Sequence, residues 1–142
     1  MQNINEITIT DIKTGEGWGA LLSEHDHLLR RFGFVELQEL KIDQPSYTFR
    51  EQADEILVLL EGRADLTIID RRKQSPSFNQ IDRLPLSGSR LQRILIPFGI
   101  AYRLEISAPA KLLRVSTHAR GTHPGDRSIS PGELEAVLNP KS

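Results

Sequence analysis

From Phe34 onward the chain is a series of short apolar runs cut by turn-forming residues, and that rhythm constrains the fold more than any other feature. "FVELQELKI" (Phe34–Ile42) ends at Asp43-Gln44-Pro45, and "EILVLLEGRADLTIID" (Glu55–Asp70) breaks at Glu61-Gly62. "RILIPFGIAYRLEIS" (Arg93–Ser107) breaks at Pro97-Phe98-Gly99, and "KLLRVST" (Lys111–Thr117) follows Ala108-Pro109. Runs of about six to eight residues, rich in Ile, Leu and Val and separated at strand-plus-turn intervals, predict an all-β sandwich or barrel. Both faces of Ile56–Leu60 are apolar, so that strand is expected to be covered on both sides. Pro97 and Gly99 suit a tight strand–turn–strand connection, the proline lacking an amide donor and the glycine accepting positive φ.

Helix signals are confined to the ends. Ser130 as N-cap, Pro131 at the first helical position and Glu133 as the capping-box acid predict a terminal helix over Pro131–Leu138. Ala20–Phe32 reads as a short helix or a structured loop. With 142 residues, a single domain spanning 1–142 is expected, with a barrel core at about 34–118, an N-terminal segment 1–33 and a tail with helix at 119–142.

Charge and inventory narrow the function classes. The 18 basic and 19 acidic residues leave a formal charge of −1, which gives no field for nucleic acid or an anionic membrane, and neither partner is expected. Cysteine is absent, which removes thiol nucleophiles, disulfides and thiolate metal sites. No basic, long apolar leader and no apolar run near the roughly 18 residues of a membrane helix occurs, so a cytoplasmic location is expected. Thirteen of the 18 cations are arginine, whose planar fork suits carboxylate and phosphate partners.

Glu55, six intervening residues and Gly62 match the tail of the first cupin motif, and Pro97-Phe98-Gly99-Ile100-Ala101-Tyr102 matches the proline–glycine turn of the second. The cupin resemblance covers about Tyr47 to Thr117. "GRADLTIIDRRKQSPSF" (Gly62–Phe78), then "ILIPFGIAYRLEISAPAKLLRVST", then "DRSI" (Asp126–Ile129) resemble, in order, the nucleotide-sugar 3,5-epimerases, specifically dTDP-4-dehydrorhamnose 3,5-epimerase. The resemblance implies a cupin jelly-roll barrel, a homodimer that exchanges or pairs strands, and metal-independent acid–base chemistry beside a sugar ketone.

The departures from that pattern concern the chemistry. Metal-binding cupins would carry histidines near Phe49, Glu51 and Tyr102; one carboxylate and a phenol make a poor transition-metal site, so neither metal nor cofactor is expected. The epimerases' general base is a histidine just ahead of the Glu55 strand, and "DQPSYTFREQ" (Asp43–Gln52) has none. Their general acid is a tyrosine beyond the Lys111–Thr117 strand, and "HARGTHP" (His118–Pro124) has none. The expected function is therefore an epimerase-like cupin that has lost the family's acid–base pair and metal site, with a sugar or sugar nucleotide held in the barrel. Two alternatives stay open: an active isomerase or epimerase on another small polar substrate, and a non-catalytic dimeric structural or regulatory module.

The resemblance to the second cupin motif implies an inward Tyr102 with Glu55 sharing that interior, and period-2 alternation extends the same face to Tyr47, Phe49 and Glu51. Tyr102, Glu55 and Tyr47 form the candidate catalytic set. In the alternative without chemistry, Tyr102 fills the barrel and hydrogen-bonds Glu55. Arg93, Arg114, His118 and Glu51 are the candidate ligand-binding residues. Arg114 shares a face with Ser116 and His118, and Arg93 is in phase with Leu95. An interior arginine needs an anionic partner, either Glu55 or a ligand. His25 and His27 are expected to stand in solvent without chelating a metal.

Overall fold

The computed structural model describes residues 4, 7–11, 34–117 and 125–138. Among them, eight strands run in the order β1 (Thr8–Asp11), β2 (Phe34–Leu40), β3 (Tyr47–Phe49), β4 (Glu55–Asp70), β5 (Ile81–Ser87), β6 (Gln92–Ile96), β7 (Ile100–Ser116) and β8 (Arg127–Ile129), followed by helix α1 (Pro131–Leu138). All the pairings are antiparallel.

The two long strands β4 and β7 organise everything else. The first part of β4 lies between β6 and the end of β7, with β1 beyond β6 and β2 beyond β7. The second part of β4 lies between β5 and the start of β7, with β3 and then β8 beyond β7. Two wings result, and their inner faces share one core. Leu57, Leu59, Ile94, Ile96 and Leu112 come from the first wing, and Leu66, Ile68, Leu86, Ile100, Tyr102 and Leu104 from the second. Ile56, Val58, Leu95 and Val115 form a separate cluster on the opposite face of the first wing. Ile56 to Leu59 are all at most 2% exposed, so this segment is covered on both faces as its sequence predicts.

Two expected breaks are absent. β4 passes through Glu61-Gly62, and β7 passes through Ala108-Pro109. The ladder between them slips at Leu59/Glu61, Glu61/Arg63 and Arg63/Ala64, so Gly62 and Pro109 meet where no regular bond is required of the proline. Gly62 adopts φ 89°, and a Cβ there would lie 2.3 Å from the Pro109 carbonyl oxygen. Both residues thus mark a bulge inside one strand pair and not a turn between strands. The Pro97–Gly99 turn is present, with Gly99 at φ 86°. Helix α1 has the bounds its sequence predicts, and the Glu133 amide donates to Ser130 Oγ at 3.2 Å. The Ala20–Phe32 expectation lies outside the described residues.

The loop after β4 is tied down by Asp70, which is fully buried. Its Oδ1 accepts the Arg72 amide and Nε, both at 2.9 Å, and its Oδ2 accepts Arg72 Nη2 at 3.0 Å and Ser77 Oγ at 2.5 Å. Burial alone would raise the carboxyl pKa, but these donors outweigh it and hold the group at about 2, against an ordinary 3.8. A depressed folded-state pKa adds stability above the unfolded value, and that stability is lost as pH falls from about 3.8 toward 2. The shift corresponds to at most about 2.5 kcal/mol. Asp70→Asn is accordingly expected to lower stability at pH 7 and to flatten the acid limb between about pH 4 and 2, read by urea unfolding at each pH. A parallel acid limb in both proteins would show that Asp70 contributes nothing to it.

Candidate functional site

Glu55 opens β4, where it pairs directly with Ser116 on β7 and with Ile96 on β6. One step along, Leu57 pairs with Arg114, and Arg114 in turn pairs with Glu36 on β2. The register therefore brings Glu36, Arg114, Ser116 and Glu55 to the inner face of the first wing. Tyr102 reaches them from the second wing, packed in the shared core at 0% exposure.

The contacts close on the Glu55 carboxylate, which is 1% exposed. Tyr102 donates its hydroxyl to Oε1 at 2.6 Å, and Ser116 donates its hydroxyl to Oε2 at 3.0 Å. Arg50 Nη1 lies 3.1 Å and Arg114 Nε 3.6 Å from Oε2. Arg50 also lies 3.0 Å, through Nε, from Asp126 Oδ1. Arg114 Nη1 donates to both Glu36 Oε1 and Gln38 Oε1 at 3.0 Å, and its guanidinium sits 5.9 Å from the Tyr102 ring centroid. Burial opposes the charge on Arg114, but the neighbouring Tyr102, Glu55 and Glu36 groups outweigh it, and its pKa lies above the ordinary guanidinium value.

Arg50 is positioned by its backbone. Its carbonyl accepts the Gly99 amide at 2.7 Å, and Asp54 accepts the Phe98 amide at 3.0 Å. The Pro97–Gly99 turn therefore fixes the segment that carries Arg50. On its other side that turn packs against the Arg72 stem, since a Cβ at Gly99 would meet Arg72 Cγ at 2.5 Å.

The structure places the sequence-selected residues unequally. Glu55, Tyr102 and Arg114 are brought together. Tyr47 is not: Thr48 pairs with Tyr102, so Thr48 shares the Tyr102 face, and Tyr47 packs on the outer face of the second wing with Phe49, Ile69, Ala101, Ile129 and Leu134. Glu51 is exposed at the surface beside Gly125, not in the interior. β3 ends at Phe49, so the alternation assumed to run on to Glu51 stops two residues earlier. Arg93 lies on the face opposite Leu57 and Arg114, in phase with Leu95, and burial lowers its pKa. His118, with His25, His27 and His123, lies outside the described residues.

Arg50, Ser116, Asp126, Glu36 and Gln38 were not in the candidate set. The signal for Ser116 is its phase with Arg114. For Glu36 and Gln38 it is the Val35/Leu37 alternation, which runs opposite to the usual apolar-inward rule: Val35 and Leu37 are 50% and 61% exposed, and the polar pair faces Arg114. Arg50 and Asp126 sit outside the strands and carry no period.

A metal does not fit this arrangement, because two guanidiniums already lie against the carboxylate that would ligate it. Among the described residues, no three His, Cys, Asp or Glu side chains converge on a metal position, and no helix is long and apolar enough to cross a membrane.

No protein-family model and no curated protein matches the sequence. Solved structures do. A dTDP sugar isomerase from Desulfovibrio desulfuricans G20 superposes with a TM-score of 0.76 at 13% identity, over 100% of this chain and 93% of its own. A double mutant of ChmJ, a 3′-monoepimerase from Streptomyces bikiniensis, in complex with dTDP gives 0.72 at 15% identity, over 98% and 75%. The dTDP-6-deoxy-D-glucose-3,5-epimerase RmlC from Legionella pneumophila Philadelphia 1, in complex with dTDP-4-keto-L-rhamnose, gives 0.67 at 22% identity, over 90% and 74%. The chain shares the all-β jelly-roll barrel fold of these solved structures.

Proposed function

We propose that the protein is a sugar-nucleotide-binding cupin, built on the dTDP-sugar epimerase barrel, whose proton-transfer pair is replaced by a closed network around Glu55. The observation that carries this reading is the state of the Glu55 carboxylate. Two hydroxyls and two guanidiniums lie on its oxygens at 2.6 to 3.6 Å, with 1% exposure. A general base needs an oxygen within reach of the substrate proton, and here those oxygens are committed to the protein. Ligand binding is supported by the fold neighbours solved with dTDP and with dTDP-4-keto-L-rhamnose.

Thermal unfolding with dTDP and with dTDP-4-keto-L-rhamnose tests the binding. A ligand specific for the native state at 100 times its Kd adds about 2.7 kcal/mol, a rise of several degrees in Tm. An unchanged Tm at millimolar concentrations of both would contradict the reading. A homodimer belongs to the same reading. β2 has a neighbour on one side only among the described residues, and its exposed Val35 and Leu37 continue the apolar face that includes Leu113 and Val115. Light scattering should give twice the chain mass.

A second reading, an active isomerase using Tyr102 and Glu55, is favoured by one observation. Arg114 is fully buried, yet its Nη2 has no hydrogen-bond partner among the described residues. A donor beside Tyr102 and Glu55 is where a substrate ketone oxygen would be polarised.

A further inference from the structure

On the outer face of the second wing, turned away from Glu55, lies a row of polar groups that the barrel interior does not use. The register sets Arg83, Thr67 and Arg103 side by side across β5, β4 and β7. Tyr47 on β3 falls opposite Arg103, one step beyond the Thr48–Tyr102 pair. The residues alternating with them, among them Ile68, Tyr102, Leu84 and Leu86, pack into the shared core, so these four side chains share the outer face.

Thr67 is 2% exposed, and its Oγ1 has no hydrogen-bond partner among the described residues. A hydroxyl buried without a partner destabilises the fold, and such groups are normally satisfied. Arg83 is exposed and makes no ion pair or side-chain hydrogen bond among the described residues. Arg103 gives Nε to the Gln44 carbonyl at 2.7 Å and Nη1 to Glu105 Oε1 at 3.3 Å, with further N–H groups left over. Burial raises the Tyr47 pKa, with Arg103 and Arg83 acting on the phenol in the opposite sense, so the hydroxyl stays protonated and able to donate at neutral pH. Glu105 and Asp65, paired with each other in the next row, temper the field. They disfavour a loosely held counterion and leave an advantage to a group that takes direct hydrogen bonds.

We propose that this row is an oxyanion site for a phosphate-type group, with Arg83 and Arg103 supplying the charge and the Thr67 and Tyr47 hydroxyls donating to its oxygens. Guanidinium forks and hydroxyls are the donor set that phosphate geometry favours. The site is independent of the barrel reading, because its residues lie on the opposite face of the sheet from Tyr102.

Inorganic phosphate is the probe, titrated against chloride at matched ionic strength while thermal unfolding and heat of binding are followed. The wild-type protein should show a saturable rise in Tm. Arg83→Gln and Thr67→Val should each weaken phosphate affinity at least fivefold, while Thr67→Val raises Tm in phosphate-free buffer by removing the unpartnered hydroxyl. A wild-type response no larger than that to chloride would overturn the site. So would wild-type phosphate affinity in both variants, which would make Thr67 a packing residue only. A dTDP titration identifies the source: if Arg83→Gln weakens dTDP as well, the occupant is a nucleotide's diphosphate, and if it weakens phosphate alone, the occupant is a free anion.

Discussion

Glu55→Gln is expected to destabilise the protein by about 3 kcal/mol, a fall of roughly 10 °C in Tm. Glutamine matches the volume and retains an acceptor for Tyr102, but its amide nitrogen would stand where Oε2 meets Ser116 and the two buried guanidiniums, so the loss combines the missing charge with that missing acceptor. Breaking a buried ion pair from one side typically costs about 3–5 kcal/mol, because the partner charge remains without compensation. The lower end applies here, since Asp126 stays against Arg50 and Glu36 against Arg114. Tyr102→Phe removes one hydrogen bond and leaves the ion pairs in place, so about 1–2 kcal/mol is expected. Denaturant unfolding of the two variants decides the matter. Equal losses would mean that the hydroxyl, and not the charge, holds the two wings together.

The second large effect belongs to the bulge between β4 and β7. Gly62→Ala places a Cβ 2.3 Å from the Pro109 carbonyl oxygen and 2.8 Å from Ala110 Cα, at a residue with φ 89°. Both obstacles are backbone, so no rotamer relieves them, and the left-handed conformation adds about 1–2 kcal/mol of its own. A loss of about 3 kcal/mol or more follows. Gly132→Ala is the control. It lies in α1 with nothing within 4 Å of the new Cβ, and it should stabilise by up to about 1 kcal/mol. A urea midpoint for Gly62→Ala close to wild type would mean that the strand pair re-registers around the methyl group.

These residues also show how far the sequence is legible. The strand rhythm, the Pro97–Gly99 turn and the Ser130-capped helix are local signals, and each appears at the expected place. Gly62 and Pro109 are turn-formers too, but their meaning depends on facing each other across two strands. Sequence reading saw two breaks where there is one bulge. β5 went unrecognised because Asp82, Arg83 and Pro85 interrupt its apolar pattern, although Leu84 and Leu86 alternate toward the core.

At the site, Glu55 and Tyr102 were legible because the segments that resemble the cupin motifs anchor both. Tyr47 and Glu51 were misplaced because no motif fixes the register before Glu55, and a one-residue slip sends every side chain to the other face. Arg50 and Asp126 meet Glu55 only through the tertiary fold. β2 is the instructive inversion. Its Glu36 and Gln38 turn inward because Arg114, directly across the ladder from Glu36, is buried and needs acceptors, while Val35 and Leu37 remain exposed.

On the proposed function, a barrel with the fold of the dTDP-sugar epimerases binds its ligand without transferring a proton. The direct measurement is incubation with dTDP-4-keto-L-rhamnose in deuterated water, with deuterium at the carbons beside the ketone followed by NMR and mass spectrometry. Incorporation no faster than in buffer is expected, under conditions where the same ligand raises Tm. Incorporation at an enzymatic rate, abolished by Tyr102→Phe or Glu55→Gln in variants that remain folded, would contradict it and establish the isomerase reading instead.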